Sequence, residues 1–364
     1  MGGEGVLGMR VPRRLALWGV LPLVLALVAA WTWYRVSDTG KRWRYEDHLA
    51  SYCAGLLPPT ETAVLTGLRT DFLNNDQRSG STKTYHHFCP ANNWSVTVSR
   101  VPEGEHDGLG PDDVQFFFPD EDAYALPATY PLGGGWRGYT DVGNTVASLS
   151  CKNGGSVVVT AQGEGYEGEN LPVNRDLVEN FARLVTATAA RAADRWGCVA
   201  KAPSGGPRIP AMTHSPVPAA GVRDGTCAGL PLHRYRSINW AWGTRTDRNT
   251  LVERCVLSAS KEDPGEQVDD EKHIYALEAR YGPQALAEAI AQREWSDATN
   301  NLRDRFRATA QCPGSPALAR FSVIHYLHKT DEKTAVALLQ GFVRRAAERH
   351  GCTDVRLPLQ EGGS

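Results

Sequence analysis

Lysine is scarce in this chain: eight of its 39 basic residues are lysine and the rest are arginine. Positive charge is not in excess either, since 39 Lys+Arg face 41 Asp+Glu for a formal charge of −2. Beyond residue 35 the balance is 35 basic against 40 acidic residues. A surface that tracks phosphates needs a basic cluster, so nucleic acid is excluded as a partner. Any Cys-x-x-Cys pair is also missing among the eight cysteines, which removes the common zinc and redox spacings. With 41% hydrophobic and 22% charged residues, the chain is too apolar to be disordered throughout.

The feature that organises the rest is a phrase used twice. Cys53-Ala54-Gly55-Leu56 recurs as Cys227-Ala228-Gly229-Leu230, and three cysteines follow each copy. Each copy closes on a second shared phrase. It reads Arg191-Ala192-Ala193-Asp194-Arg195-Trp196-Gly197-Cys198 in the first copy and Arg345-Ala346-Ala347-Glu348-Arg349-His350-Gly351-Cys352 in the second. The cysteines thus fall four and four: Cys53, Cys89, Cys151 and Cys198, then Cys227, Cys255, Cys312 and Cys352. Matched order and an even count read as a disulfide framework, and disulfides belong in an oxidising compartment. Two domains are also what 364 residues favour.

Residues 15–34, LALWGVLPLVLALVAAWTWY, carry no charge. Twenty residues at about 1.5 Å each match a hydrocarbon core of about 30 Å, so a transmembrane helix is expected there. Trp31, Trp33 and Tyr34 sit where interfacial aromatic rings are favoured. A cleaved signal peptide ending at Val28-Ala29-Ala30 is the competing expectation. Arginines flank both ends, so charge does not set the orientation; the cysteines do, by placing residues 36–364 outside. The division expected is a cytoplasmic N-terminus (1–14), the span (15–34), a first α+β repeat (36–198), a Pro/Gly-rich linker (199–226), a second repeat (227–352) and a tail (353–364).

Within the first repeat, Tyr45–Tyr52 reads as a short helix, and a helical turn restarts at Thr60. Thr84–Cys89 with Trp94–Val101, and Thr145–Cys151 with Ser156–Ala161, read as hairpins, the second around Asn153-Gly154. Asn174 is placed to N-cap a long helix carrying Leu177, Phe181, Leu184, Val185 and Thr188 on one face. Gly197 then closes it, as Gly351 closes its partner. A strand leaving the hairpin turn and a helix running back return Cys198 to Cys151. Cys151–Cys198 and, by the repeat, Cys312–Cys352 are therefore expected. Cys53–Cys89 and Cys227–Cys255 follow by elimination. In the second repeat, strands are expected at Thr250–Ser258, Lys272–Arg280 and Ala317–Leu327, and helices at Pro283–Arg293 and Lys333–His350. Each repeat is thus an antiparallel sheet covered by a long C-terminal helix, an α+β architecture.

No catalytic constellation emerges. Gly163-Glu164-Gly165-Tyr166-Glu167-Gly168 fits G-x-G-x-x-G, but its glutamates would repel a pyrophosphate, so it reads as a loop. Gly225-Thr226-Cys227-Ala228-Gly229 mimics a nucleophile elbow, yet a disulfide accounts for the cysteine. His86 and His87 are neighbours on a strand and point to opposite faces. His106 with Asp107, Asp112 and Asp113, the Asp120-Glu121-Asp122 run and the acidic stretch from Glu262 to Glu271 lack calcium-loop spacing and read as solvated loops. Phe116-Phe117-Phe118 reads as a core strand, and Trp240-Ala241-Trp242 as core or interdomain packing. No catalytic, metal or cofactor residues are assigned.

The anchor followed by Cys53-Ala54-Gly55-Leu56-Leu57-Pro58 resembles a loose group of exported, membrane-anchored actinobacterial proteins of unknown function. The resemblance implies an envelope location and no particular activity; the second copy departs from the phrase at Pro231-Leu232. A non-enzymatic binding module is therefore expected, held in the bilayer by residues 15–34 and meeting an envelope protein or ligand. The alternative is an envelope hydrolase with carboxylates such as Asp112, Asp113 or Glu121 between the repeats.

Overall fold

The structure, a computed structural model, describes residues 13–357 except 81–84, 103–128, 142, 164–173, 201, 213–214, 262–272, 299–304, 316 and 326–331. It is an α+β protein with two seven-stranded antiparallel sheets and four disulfides.

The chain opens with α1 (Arg13–Val36) and α2 (Asp38–Ser51). From Val20 onward the large side chains of α1 stand in the open, with Leu21, Leu23, Leu25 and Leu27 each about 60% exposed. No single helix among the described residues is long and apolar enough to cross a membrane. Val20–Val36 passes such a test only together with Asp38–Gly55, across a bend of 72°. The bend is built locally. The Ser37 hydroxyl caps α2 by accepting from Gly40 N at 3.0 Å, and Arg44 donates to the carbonyls of Tyr34 and Arg35 that end α1. Gly40 lies so close that a Cβ there would sit 2.1 Å from the Tyr34 carbonyl oxygen.

The first sheet runs β1 (Gln77–Ser79), β2 (Tyr85–Ala91), β3 (Trp94–Val101), β7 (Ser156–Gly163), β6 (Asn144–Ser150), β5 (Arg137–Thr140) and β4 (Tyr130–Pro131) in spatial order. Both expected hairpins form, β2–β3 and β6–β7. On one face, alternate residues of these strands, including Val96, Val98, Ala147, Val157 and Val159, join a core with α3 (Pro59–Thr66) and α4 (Arg175–Arg195). Helix α4 contributes Phe181, Leu184, Val185 and Ala189. The Asn174 side chain caps it through Leu177 N, and Gly197, at φ 62°, turns the chain out.

The second sheet is ordered β14 (Thr353–Arg356), β12 (Arg305–Gln311), β13 (Ala319–His325), β11 (His273–Arg280), β10 (Val252–Ser258), β9 (Trp240–Gly243) and β8 (Val217–Pro218). Leu338, Leu339, Phe342 and Val343 of α6 (Glu332–His350) share a core with Cys255, Leu257, Leu277, Phe321 and Val323. Helix α5 (Pro283–Ala298) belongs to a different cluster. Its Leu286, Ala287 and Ile290 meet Val101, Tyr139, Val146 and Val158 of the first sheet, together with Leu251 and Val252.

That cluster joins the two sheets, and polar bonds reinforce it. Gly138 N donates to Asn249 O at 3.1 Å, Thr244 Oγ1 to Thr129 O at 2.7 Å, and Thr129 Oγ1 to Val252 O at 3.3 Å. The Pro-rich stretch expected to be a linker is packed on both sides of this seam. Trp136 Nε1 donates to Gly205 O, Arg208 N donates to Leu132 O, and Val217–Pro218 form the edge strand of the second sheet. The expected tail likewise begins as a strand, β14.

Candidate functional site

The seam between the sheets contains two cavities, of about 80 and about 160 Å³, whose walls share Arg137, Gly282, Ser315 and Ala317. Arg137 enters from the first sheet. It is the first residue of β5, and its backbone is fixed by pairing with Ser148 of β6 and by the neighbouring Gly138–Asn249 bond. Its guanidinium donates to Ser150 Oγ at 3.0 Å and passes Gly282 so closely that a Cβ there would lie 3.2 Å from Nη2. No carboxylate pairs with Arg137 among the described residues. Burial pushes its pKa down from the usual arginine range. A guanidinium remains charged in proteins, so this positive charge is partly desolvated.

The second sheet supplies the opposite wall. Gly282 has φ 58°, and its carbonyl accepts the first bond of α5 from Leu286 N. Pro283 occupies the first helical position, where a missing N–H costs nothing. The positive end of the α5 dipole therefore faces the cavities, where Gly282 and Pro283 form part of the wall. Tyr281, 3% exposed, lines the larger cavity and stacks on His350 at a ring separation of 3.8 Å. Among the described residues the buried Tyr281 hydroxyl has no hydrogen-bond partner. Burial and then the nearby Glu253 charge push its pKa well up, so it stays a neutral phenol. The exposed Arg248 lines the same cavity.

Behind this wall, Glu253 accepts from Arg349 and lies 3.0 Å from His350 Nε2. Burial opposes its ionisation, but the bonds from His350 and Arg349 outweigh burial and hold the carboxyl below its ordinary range. The carboxylate is thus committed to α6, and no acidic side chain lines either cavity among the described residues. The guanidinium groups of Arg137 and Arg248 give this wall a positive character.

Residues singled out from the sequence lie elsewhere. The bridges are Cys53–Cys89, Cys151–Cys198, Cys227–Cys255 and Cys312–Cys352, with Cα separations of 5.6, 5.0, 5.2 and 4.0 Å. Cys227 is therefore no nucleophile in this state. His86 is bonded to Ser99 Oγ and His87 to the Tyr85 hydroxyl, on opposite faces of β2. Burial lowers the His87 pKa, which keeps the ring neutral. Trp242 packs with Val256, Ala276 and Ile324, and Trp240 lies against the same cluster. His106, Asp107, Asp112, Asp113, Phe116–Phe118, Asp120–Asp122, most of the G-x-G-x-x-G stretch and the Glu262–Glu271 acids lie outside the described residues. No group of His, Cys, Asp or Glu suited to a metal ion occurs among the described residues.

Sequence reasoning missed Arg137, Arg248, Tyr281 and His350 as a group. The one local signal was the exchange of Trp196 for His350 in phrases that otherwise differ only in Asp194 against Glu348. No family model, curated protein or solved structure matches the chain.

Proposed function

We propose that this chain is a single-span membrane protein whose exterior consists of two tandem disulfide-stapled α+β units acting as a non-enzymatic binding module of the cell envelope. The observation that carries the anchored reading is α1, whose large apolar side chains from Val20 to Val36 are all exposed. In water such a helix has no stable place, whereas in a bilayer its backbone is internally satisfied and its side chains are solvated by lipid. Trp31 and Trp33 near the outer end of α1, and Trp43 of α2 packed edge-on against Trp33, are half exposed or more, as an interfacial belt requires. The 72° elbow and the cations Lys41, Arg42 and Arg44 of α2 support this reading, since basic residues beside a span are attracted to anionic headgroups.

Support for tandem units comes from the two recurrent phrases, which touch each other in both halves. Arg191 reaches Gly55, and Arg345 lies against Gly229. In each half one bridge ties the first phrase to a strand, and another ties the end of the long helix back to the sheet. The ligand site in this account is the seam between the units, as the resemblance to exported envelope proteins leaves any activity open.

Cells expressing the full chain would be treated with a membrane-impermeant phosphine reductant and then an impermeant maleimide. Labelling of cysteines on intact cells, absent before reduction, supports an exterior location. Labelling only after lysis contradicts it.

A further inference from the structure

We propose that His87 makes the outer edge of the first half acid-labile, its buried ring releasing β1 and the end of α4 from β2 when it takes up a proton. His87 lies in the middle of β2, register-paired with Arg78 of β1 on one side and Val98 of β3 on the other. It is 3% exposed. Its Nε2 bonds the Tyr85 hydroxyl, and its buried Nδ1 has no hydrogen-bond partner among the described residues. The Tyr85 ring meets Trp196 edge-on at 5.3 Å, at the end of α4, and lies under the Arg78 guanidinium at 4.3 Å. One imidazole–phenol pair thus links an edge strand, its neighbour and the end of the closing helix.

A second proton has no partner here. Whichever tautomer the neutral ring adopts, an imidazolium carries N–H on both nitrogens, and the one at Nδ1 meets no acceptor among the described residues. The surrounding charges do not compensate. Burial acts most strongly and lowers the ring's pKa; Asp76, just before β1, opposes burial, and Arg78 of β1 and Arg195 of α4 reinforce it. The Asp76 carboxylate already accepts from Cys53 N at 3.1 Å. An open state with His87 in water takes up a proton at about pH 6.5, before the closed state does, so opening is favoured progressively below that value.

The second half fills the same position differently. Glu253, like His87, stands two residues before its strand cysteine, and Arg349 takes the place of Arg195 in the shared closing phrase. There the arginine donates to the carboxylate, which stays ionised below the ordinary carboxyl range. Acid in the histidine range should therefore loosen the first half and spare the second. Neither the anchor nor the seam enters this coupling.

The test is hydrogen–deuterium exchange of the full chain in neutral detergent micelles from about pH 7.5 to about pH 5, read by peptide and corrected for the intrinsic pH dependence of exchange. Peptides covering β1, β2 and Trp196 should lose protection below about pH 6.5, the opening constant rising by up to about tenfold per pH unit, while β10 and the end of α6 keep theirs. His87→Gln, neutral throughout and able to bond the Tyr85 hydroxyl, should abolish the pH dependence while keeping the wild-type circular dichroism and all four bridges. Should that variant not fold, exchange of the imidazole C2 hydrogen in the parent protein gives a second readout, with a His87 midpoint expected below the ordinary value of about 6.5. Protection that does not change with pH, equal loss in both halves, the same pH dependence in His87→Gln, or a His87 midpoint at or above the ordinary value overturns the assignment.

Discussion

Arg191 Nε donates to the carbonyl oxygen of Gly55 at 2.7 Å, across 136 residues of sequence. In the other half, Arg345 stands in the corresponding place: a Cβ on Gly229 would lie 2.6 Å from its Nε. Both glycines have left-handed backbones, φ 69° and 78°. The closing helix of each half therefore leans on the loop that holds its first cysteine. The neighbours differ, however. A Cβ at Gly55 would meet the backbone oxygen of Ala50 at 2.9 Å, whereas at Gly229 it meets the end of a flexible arginine.

Gly55→Ala is accordingly expected to destabilise the protein more than Gly229→Ala. Each carries the cost of a left-handed alanine, about 1–3 kcal/mol, but only the first adds an immovable clash. Arg191→Ala, which strands the Gly55 carbonyl, should cost about 1–3 kcal/mol. Urea midpoints of the three variants would rank them, and equal midpoints for the two glycine variants would count against the clash.

Glu278 is held by Arg254 on the neighbouring strand and by Arg280, with Arg254 and Glu278 side chains 7% and 9% exposed. Burial alone would raise its pKa, but the Arg280 and Arg254 charges overcome burial and bring it down to about 2. A carboxyl whose folded pKa is depressed contributes stability that is complete above its unfolded value. That stability is lost as pH falls towards the folded value. Stability should therefore decline between about pH 4.5 and pH 2. Glu278→Gln should cost about 3–5 kcal/mol at neutral pH, because it removes the buried negative charge that Arg254 and Arg280 both face, and should flatten the acid decline. Denaturation curves across that pH range give both quantities.

The bridges should differ in reactivity. Cys53, Cys89 and Cys255 are fully buried and Cys227 nearly so, whereas Cys151 and Cys352 are partly exposed. Their loops of 36, 47, 28 and 40 residues differ too little for loop entropy to separate them. Access then decides, so Cys151–Cys198 and Cys312–Cys352 should open first under mild native reduction. Timed alkylation with peptide mass mapping would establish the order, and early loss of Cys53–Cys89 would be inconsistent with it.

Gly40→Ala should open the elbow between α1 and α2, since the added methyl carbon collides with the Tyr34 carbonyl. Tryptic cutting after Lys41 or Arg42 would then come earlier than in the parent protein. An unchanged time course would show that the elbow tolerates the methyl group.

Much of the fold was legible because its signals are local. Asn-Gly marked the β6–β7 turn, Asn174 marked the start of α4, and the apolar spacing of Phe181, Leu184 and Val185 marked its buried face. Strands with weak local signals were missed. In β12 the core-facing positions include only Ala308 and Ala310 beside Phe306, and β14 is exposed at every residue. Strand β5 was missed as well, and Arg137 with it. The bonds of the Pro/Gly-rich stretch 199–226 to Trp136 and Leu132 were not legible, because those partners lie about 70 residues upstream. The candidate site was not legible at all. Arg137 and Tyr281 lie in different halves of the chain, and no spacing in a single sequence announces that they line one cavity.

The measurement that bears most directly on the tandem-unit account is a disulfide map of the full chain, purified without reductant and digested under non-reducing conditions. The account predicts Cys53–Cys89, Cys151–Cys198, Cys227–Cys255 and Cys312–Cys352, every bridge within its own half and no free thiol. A bridge joining the two halves, or a cysteine that alkylates before reduction, would contradict it.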